Sequence, residues 1–285
     1  LQRLLSSMIY ATQSDFTYVE NIVLKSKSSF AMGMKVLDRD KRGYLYAIYA
    51  YCRILDDIAD EIGSQDTKLV KLLNWEKAIQ SCLEGKPTDP VTRILADAVS
   101  NHQIPSDELF NLIEGMKADI LGPIQKPSLK ELYKYCRNVA VSVGLLSLPL
   151  FGRKDEGAKK FAYELGMALQ LTNILRDIDE DLKINRIYLP LELLEKYGVK
   201  DITPSENLSN VLLELASLTE QHYLNADNHL KSIGKEGLLP ALLMKEAYHK
   251  IFLKLKKRGW DVITPRIKLS KIEKTFLIMG MLTKS

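Results

Sequence analysis

Residues 168–189 read Ala168-Leu-Gln-Leu-Thr-Asn-Ile-Leu-Arg-Asp-Ile-Asp-Glu-Asp-Leu-Lys-Ile-Asn-Arg-Ile-Tyr-Leu189. In an α-helix successive residues are rotated by roughly 100°, so Asn173, Asp177 and Asp181 lie in one row. The apolar residues form a stripe beside that row: Ile174, Leu175, Ile178 and Leu182. The acidic row therefore follows the edge of a buried face, where the wall of a cavity would lie.

A row of carboxylates in a helix is unfavourable by itself. Asp is a poor helix former, and two Asp residues at i and i+4 repel each other by about 0.2–0.5 kcal/mol. A bound cation would offset this repulsion. The simpler alternative is a solvated acidic face whose charges pair with Arg176 and Lys183.

A second acidic segment, Tyr49-Ala-Tyr-Cys-Arg-Ile-Leu-Asp-Asp-Ile-Ala-Asp60, favours the cation. Its polar stripe on the helical wheel consists of Tyr49, Arg53, Asp56, Asp57 and Asp60, and its apolar stripe of Ile48, Ile54, Leu55 and Ile58. Carboxylates at this density suit hard divalent cations, above all Mg²⁺ when phosphate oxygens supply the other ligands. The two segments together predict an apolar cavity with Mg²⁺ at its mouth, clamping a diphosphate.

The composition is that of a soluble globular protein with no strong charge bias. The chain has 285 residues and a formal net charge of +4, which predicts no nucleic-acid partner. Three cysteines without a C-x-x-C pair, Cys52, Cys82 and Cys136, indicate a reducing compartment and no structural zinc. No run approaches the roughly 18 apolar residues of a membrane-spanning helix, so we expect a cytoplasmic protein.

Almost every segment has helical periodicity, and no pair of alternating strands is evident. We predict a disordered or processed N-terminus over residues 1–17 and one all-α domain of ten or more helices over residues 18–285. The predicted helices span residues 18–34, 40–63, 67–83, 89–102, 106–121, 128–151, 156–183, 191–197, 206–230 and 238–257, with a short helix after residue 270.

The two acidic segments resemble those of the squalene/phytoene synthase family. The resemblance rests on Asp56-Asp57-Ile-Ala-Asp60 after Tyr-Ala-Tyr-Cys-Arg, and on the run from Asn173 to Asp181 followed by Arg186-Ile-Tyr188-Leu-Pro. It extends from about Ser26 to the C-terminus. Within the family the chain is most similar to the bacterial presqualene diphosphate synthases of the hopanoid pathway, through residues 29–30, 258–260 and 265–274.

The resemblance implies an isoprenoid-synthase-type helical bundle around a central apolar cavity. It also implies Mg²⁺-dependent head-to-head condensation of two farnesyl diphosphates to presqualene diphosphate, with release of pyrophosphate. Two or three Mg²⁺ ions are expected on Asp56, Asp60, Asn173, Asp177 and Asp181. NADPH is not expected to be required, although the absence of a G-x-G-x-x-G motif does not decide this.

The resemblance further assigns individual site residues. The expected catalytic residues are Asp56, Asp57, Asp60, Asp177, Asp181 and Tyr135. Tyr135 matches a tyrosine that lies near the carbocation in relatives. The expected substrate contacts are Ser29, Phe30, Tyr49, Arg53, Val139, Val143, Gly144, Gln170, Asn173, Arg186 and Tyr188. Structural explanations also exist: Arg53 could merely pair with Asp57, Tyr188 could cap a helix, and Tyr135 and the valines could be ordinary core.

The residues and the resemblance leave several alternatives open. The scaffold could use geranylgeranyl diphosphate to make phytoene, continue with NADPH to squalene, or continue to dehydrosqualene. It could also be a catalytically silent assembly factor, although its complete acidic segments argue against that. Finally, the basic excess over residues 250–274 predicts peripheral contact with the inner face of a membrane, with a solvated basic face as the alternative.

Overall fold

The computed structural model describes residues 9–26, 33–122 and 124–282, and within them it contains helices and no strand. The helices are α1 (Gln13–Ser26), α2 (Arg39–Asp60), α3 (Gln65–Leu83), α4 (Pro90–His102), α5 (Asp107–Leu121), α6 (Leu129–Cys136), α7 (Ser142–Ser147), α8 (Glu156–Lys183), α9 (Leu191–Lys196), α10 (Glu206–Ile233), α11 (Leu239–Arg258) and α12 (Lys271–Leu282). The predicted all-α class is confirmed. None of the described helices has both the length and the hydropathy needed to cross a membrane.

Helices α6 and α7 are joined without a break by a π-helical turn, Arg137–Val141, which the sequence analysis did not foresee. The turn lies against α8 at Gly166, where an added Cβ would come within 2.8 Å of the Val141 Cα atom. Glycine at this position therefore allows two helix backbones to approach closely. The extra residue of the π-turn directs Val139 and Ala140 toward the centre of the bundle.

Two of the buried clusters of the hydrophobic core contain, respectively, α2 and α8. One buried cluster contains residues from each of the five helices α1 to α5, among them Tyr51, Ile94 and Leu109. A second joins α6, α8, α10 and α11 through residues such as Leu171 and Phe252. Because α8 packs along most of α10, its acidic end is held by a long apolar interface rather than by its own helix propensity.

The N-terminal boundary differs from the prediction. The first helix begins at Gln13 rather than at residue 18, and Asp15 within it forms an ion pair of 2.6 Å with Arg93. Just before the helix, the backbone N–H groups of residues 9–11 donate to the buried carboxylate of Asp97. Residues 9–11 and Asp15 therefore make contacts far away in the sequence, which periodicity cannot reveal.

Candidate active site

An apolar cavity of about 300 Å³ lies between α2, the π-turn, α7, α8 and α11. It exists because much of its wall consists of small residues, among them Ala140, Gly144, Ala162, Gly166 and Ala241. Five of the substrate contacts expected from the sequence are in the wall: Tyr49, Val139, Val143, Gly144 and Gln170. The predicted central cavity is confirmed.

Both acidic segments begin where the cavity wall ends. Cys52 on α2 and Gln170 on α8 line the cavity, and the next turns of these helices carry Asp56 and Asn173. On α2, Arg53 pairs with Asp56 at 3.3 Å and with Asp57 at 2.6 Å. The alternative role of Arg53 as a helical ion-pair partner is therefore present in the structure, and Asp57, 58% exposed, points away from the interior.

Arg186 connects the two acidic segments. It follows the end of α8, and its Nη1 donates to the Asp60 carboxylate on α2 at 2.9 Å. Its Nε lies 4.0 Å from the carboxylate of Asp119, which is 8% exposed on α5. The Arg186 guanidinium therefore lies between the exposed carboxylate of Asp60, in the first acidic segment, and the buried carboxylate of Asp119 on α5.

Asp119 is a residue that the sequence analysis missed. It accepts hydrogen bonds from the hydroxyl groups of Tyr135, at 3.0 Å, and Tyr188, at 2.8 Å. The sequence held a signal, because Asp119 falls on the apolar face of α5 with Leu112 and Met116, where a carboxylate is out of place. Tyr135 and Tyr188, both predicted site residues, lie in this network rather than in the wall of the large cavity.

The second acidic segment is held by arginines. Asp177, 17% exposed, pairs through both oxygens with Arg176, at 2.7 and 2.6 Å, and with Arg266, at 2.7 and 3.1 Å. Arg266 also lies 3.2 Å from Glu180. Arg266 belongs to the basic stretch 250–274, but it pairs with α8 rather than with solvent, because the segment after α11 folds back onto α8. Any cation on Asp177 would compete with these two guanidinium groups.

The carboxylates of the site raise one another's pKa. Burial, followed by the charge of Asp60, raises the pKa of Asp56 to about 6. Burial, followed by the charge of Asp177, raises the pKa of Asp181 to about 7. Asp119 contributes to both shifts, which means that its charge acts on both segments. Such crowding of negative charge is what a bound cation would relieve.

One buried polar atom at the cavity mouth suits a divalent cation. The Oδ1 atom of Asn173 is buried without a hydrogen-bond partner among the described residues, while its Nδ2 donates to Gln170 at 3.3 Å. A buried oxygen without a partner, one helical turn before Asp177, is a suitable ligand for a hard cation. The described side chains contain no cluster of three or more His, Cys, Asp or Glu that could hold a metal alone. Ser29 and Phe30 lie outside the described residues.

Comparison with known proteins identifies the family of this chain. Residues 23–273 match the squalene/phytoene synthase family. The chain belongs to that family. The presqualene diphosphate synthase of Zymomonas mobilis is 39% identical over 250 residues, which cover 86% of each chain.

Other relatives of the squalene/phytoene synthase family agree with this placement. The phytoene synthase of Thermus thermophilus is 31% identical over 274 residues, covering 93% of this chain and 92% of that protein. A solved dehydrosqualene synthase in complex with a ligand superposes with a TM-score of 0.84 at 30% identity, covering 95% and 96% of the two chains. The protein is thus an enzyme of the prenyltransferase class, with the isoprenoid-synthase-type bundle expected from its sequence.

Proposed function

We propose that this protein condenses two farnesyl diphosphates head to head to presqualene diphosphate. The observation that supports this most directly is the apolar cavity whose walls continue, on α2 and α8, into two acidic segments connected by Arg186. The cavity suits prenyl chains and the acidic mouth suits their diphosphates. The relatives named presqualene diphosphate synthase, at 30–39% identity, favour this product over others of the family.

The reaction needs a leaving pyrophosphate and a dry environment. The C–O bond of one substrate ionises, the double bond of the second attacks the allylic cation, and loss of a proton closes a cyclopropane ring. Arg53 and Arg186 supply positive charge for the departing pyrophosphate, and the apolar wall excludes water from the cation. Because no hydride is transferred in this reaction, we propose that it requires no NADPH.

We propose that two or three Mg²⁺ ions bind at the mouth. The residues that would hold them are Asp56, Asp60, Asn173, Asp177 and Asp181. When bound, Mg²⁺ neutralises the diphosphate charge as a Lewis acid. The protein's own contribution is to fix these oxygens on two helices and to leave the Asn173 Oδ1 atom without another partner.

Product analysis by mass spectrometry tests the proposal. Purified protein is offered C15 or C20 prenyl diphosphate with Mg²⁺, with and without NADPH, and pyrophosphate release is followed in parallel. We expect pyrophosphate and presqualene diphosphate from the C15 substrate, unchanged by NADPH. A C40 hydrocarbon made from the C20 substrate alone would identify a phytoene synthase, and a C30 hydrocarbon made with NADPH would identify a squalene synthase.

A catalytically silent assembly factor would release no pyrophosphate from either substrate. The variant Asp181→Asn is compared with the wild type in the same assay. It removes one carboxylate of the mouth without changing the size of the side chain. We expect this variant to lose most pyrophosphate release while the wild type retains it. Equal release from both proteins would refute the metal-binding role of Asp181.

We also propose that α12 contacts an anionic membrane. Ile272 and Phe276 on this helix are 69% and 64% exposed, and Lys271 and Lys274 beside them form no ion pair with other described residues. An apolar stripe flanked by lysines suits the interface of an anionic bilayer. We expect sedimentation with phosphatidylglycerol vesicles at low salt and its loss in Ile272→Ser/Phe276→Ser. Equal sedimentation of both proteins would refute this role of α12.

A further inference from the structure

Both ends of the π-turn are bonded to one buried carboxylate, that of Glu108 in the first turn of α5. Arg137, the first residue of the turn, donates to both Glu108 oxygens, and the bond from its Nη2 measures 2.7 Å. Ser142, the residue after the turn, donates its hydroxyl proton to Glu108 at 2.9 Å. The Ser142 backbone N–H donates to the Arg137 carbonyl, which is the hydrogen bond that defines a π-turn. One ion-pair network therefore holds the turn at its beginning and its end.

Glu108 keeps its negative charge although it is only 7% exposed. Burial raises the pKa of this carboxyl group, but hydrogen bonds from Arg137, Asn111 and Ser142 outweigh the burial and hold the pKa below its ordinary value. An acidic residue in the first turn of a helix is stabilised by the helix dipole even at the surface, where it needs no partner. The position at the start of α5 therefore does not by itself explain the buried network.

Two neighbouring helices enclose the π-turn. Gly115 lies about two helical turns after Glu108 on the same face of α5, and an added Cβ there would come within 2.5 Å of the Val139 side chain. On the other side, Gly166 of α8 faces the backbone of Val141. These close approaches leave the turn little room to shift, and the bonds to Glu108 fix where it begins and ends along the chain.

The register of the π-turn decides which side chains form one wall of the cavity. Val139 and Ala140 in the turn, and Val143, Gly144 and Ser147 on α7, all line the cavity. A continuous α-helix would need one residue fewer here, and it would rotate α7 by about 100° relative to α6. Other side chains of α7 would then face the cavity.

Buried ion pairs add little net stability, because desolvation offsets their attraction, and their best-attested use is to select one register among several. We propose that Glu108 is a positioning residue for the prenyl chain, because it fixes the register of the π-turn through Arg137 and Ser142 and thereby shapes the wall against which the chain packs. Glu108 does not itself line the cavity. This inference rests on the proposed function, because it places a prenyl chain in that cavity.

Glu108→Gln tests the proposal, since it keeps the size of the side chain and removes the charge that Arg137 binds. Calorimetry with Mg²⁺ compares two ligands, unreactive farnesyl thiodiphosphate and inorganic pyrophosphate. We expect the affinity for the farnesyl ligand to fall by about 10- to 100-fold, because small gaps at an apolar wall lose much of the packing energy. The affinity for pyrophosphate should stay within about threefold, because pyrophosphate makes no contact with the apolar wall. Equal losses for both ligands, or no loss for either, would refute the proposal.

The double variant Glu108→Gln/Arg137→Met separates positioning from stability. The single variant leaves a partly buried guanidinium without its partner, whereas replacing both charges avoids this penalty. We expect the double variant to recover most of the melting temperature that Glu108→Gln loses, but none of the affinity for the farnesyl ligand. Recovery of both would assign the Glu108 network to stability alone and would contradict the proposal.

Asp15→Asn is the matched control. Asp15 accepts two hydrogen bonds from Arg93, and this pair joins α1 to α4, neither of which lines the cavity. The carboxylate side chains of the two pairs are 3% and 9% exposed, and their arginines 28% and 32%. We expect Asp15→Asn to lower the melting temperature and to leave the affinity for the farnesyl ligand unchanged. A loss of that affinity as large as in Glu108→Gln would show that any destabilisation produces the effect, and the proposal would be wrong.

The two proposals fail in different ways. If the wild type binds the farnesyl ligand but releases no pyrophosphate from farnesyl diphosphate, the proposed reaction is wrong, and the binding comparison still decides the role of Glu108. If the wild type is active and Glu108→Gln binds the farnesyl ligand normally, only the inference about Glu108 is refuted.

Discussion

At the scale of single residues, carboxylates of similar sequence context have very different surroundings. Asp57 is exposed and pairs with Arg53 within its own helix, whereas Asp177 is mostly buried and joins two arginines from different elements. Asp56 and Asp181 lie among other carboxylates, and both have a raised pKa. These differences lead to two predictions.

Asp177→Ala should destabilise the protein far more than Asp57→Ala. Removing Asp177 leaves the largely buried Arg176 without its partner, at a cost of about 3 kcal/mol in the free energy of unfolding. Removing Asp57 breaks an exposed i, i+4 pair worth less than about 1 kcal/mol. Urea denaturation of the two variants measures both values. Equal losses would mean that the arginine cluster around Asp177 does not form.

In the presence of EDTA, the protein should lose stability as the pH rises from about 4 to about 7. The pKa values of Asp56 and Asp181, about 6 and about 7, are above the ordinary value of 3.8. The folded state therefore binds more protons than the unfolded state in this range, and this stabilising effect disappears as the two groups ionise. Urea denaturation at several pH values measures it. Asp181→Asn should make the decline shallower, and an unchanged slope would contradict the raised pKa of Asp181.

At the scale of elements, the site depends on how closely α8 approaches the π-turn. Gly166 of α8 faces the backbone of Val141, and the same turn carries Val139 into the cavity wall. Gly144 of α7 also faces α8, but with more room, because an added Cβ would meet the Cβ of Ala162 at 3.4 Å. Two glycines in the same wall thus have different packing requirements.

Gly166→Ala should cost about 1–3 kcal/mol of stability, because its Cβ would overlap backbone atoms that cannot rotate away. Gly144→Ala should be neutral or slightly stabilising, since alanine is about 0.5–1 kcal/mol better than glycine inside a helix. Thermal and urea denaturation compare the two. A Gly166→Ala variant as stable as the wild type would show that α8 and the π-turn can separate without cost.

At the scale of the whole molecule, the cavity has a polar end and an apolar end. On α8 the wall runs from Gln170, beside the acidic segment, back to Phe161, nine residues or about 14 Å away along the helix axis. Phe151, which follows α7, and Leu45 on α2 line the wall at the same end of the cavity as Phe161. The side chains at this apolar end limit the length of prenyl chain that fits.

Phe151→Ala should lengthen the cavity and raise turnover of the C20 substrate relative to the C15 substrate. Removing the ring opens space at the apolar end and leaves the diphosphate end unchanged. Competition between the two substrates, followed by mass analysis of the products, measures the ratio. Phe110→Ala, a partly buried phenylalanine outside the cavity wall, is the control and should lower stability only. A C20/C15 ratio that stays at the wild-type value in Phe151→Ala would mean that Phe151 does not limit chain length.

The sequence by itself determined the helices, the two acidic segments and a few residues of the cavity wall. These features are local or periodic: a helix places residues three and four positions apart on one face, so an acidic row beside an apolar stripe can be found without coordinates. The same periodicity placed Tyr49 on the polar stripe of α2, whereas Gln170 on α8 was assigned by the family resemblance; both line the cavity.

Only the tertiary structure decided which charges meet. Tyr188 reaches Asp119 across 69 residues and Arg266 reaches Asp177 across 89, and no periodic pattern encodes either contact. The π-turn likewise depends on the approach of another helix at Gly166. The physical reason is that periodicity records which face of a helix is buried, whereas the partners of a buried charge depend on how distant segments pack against it.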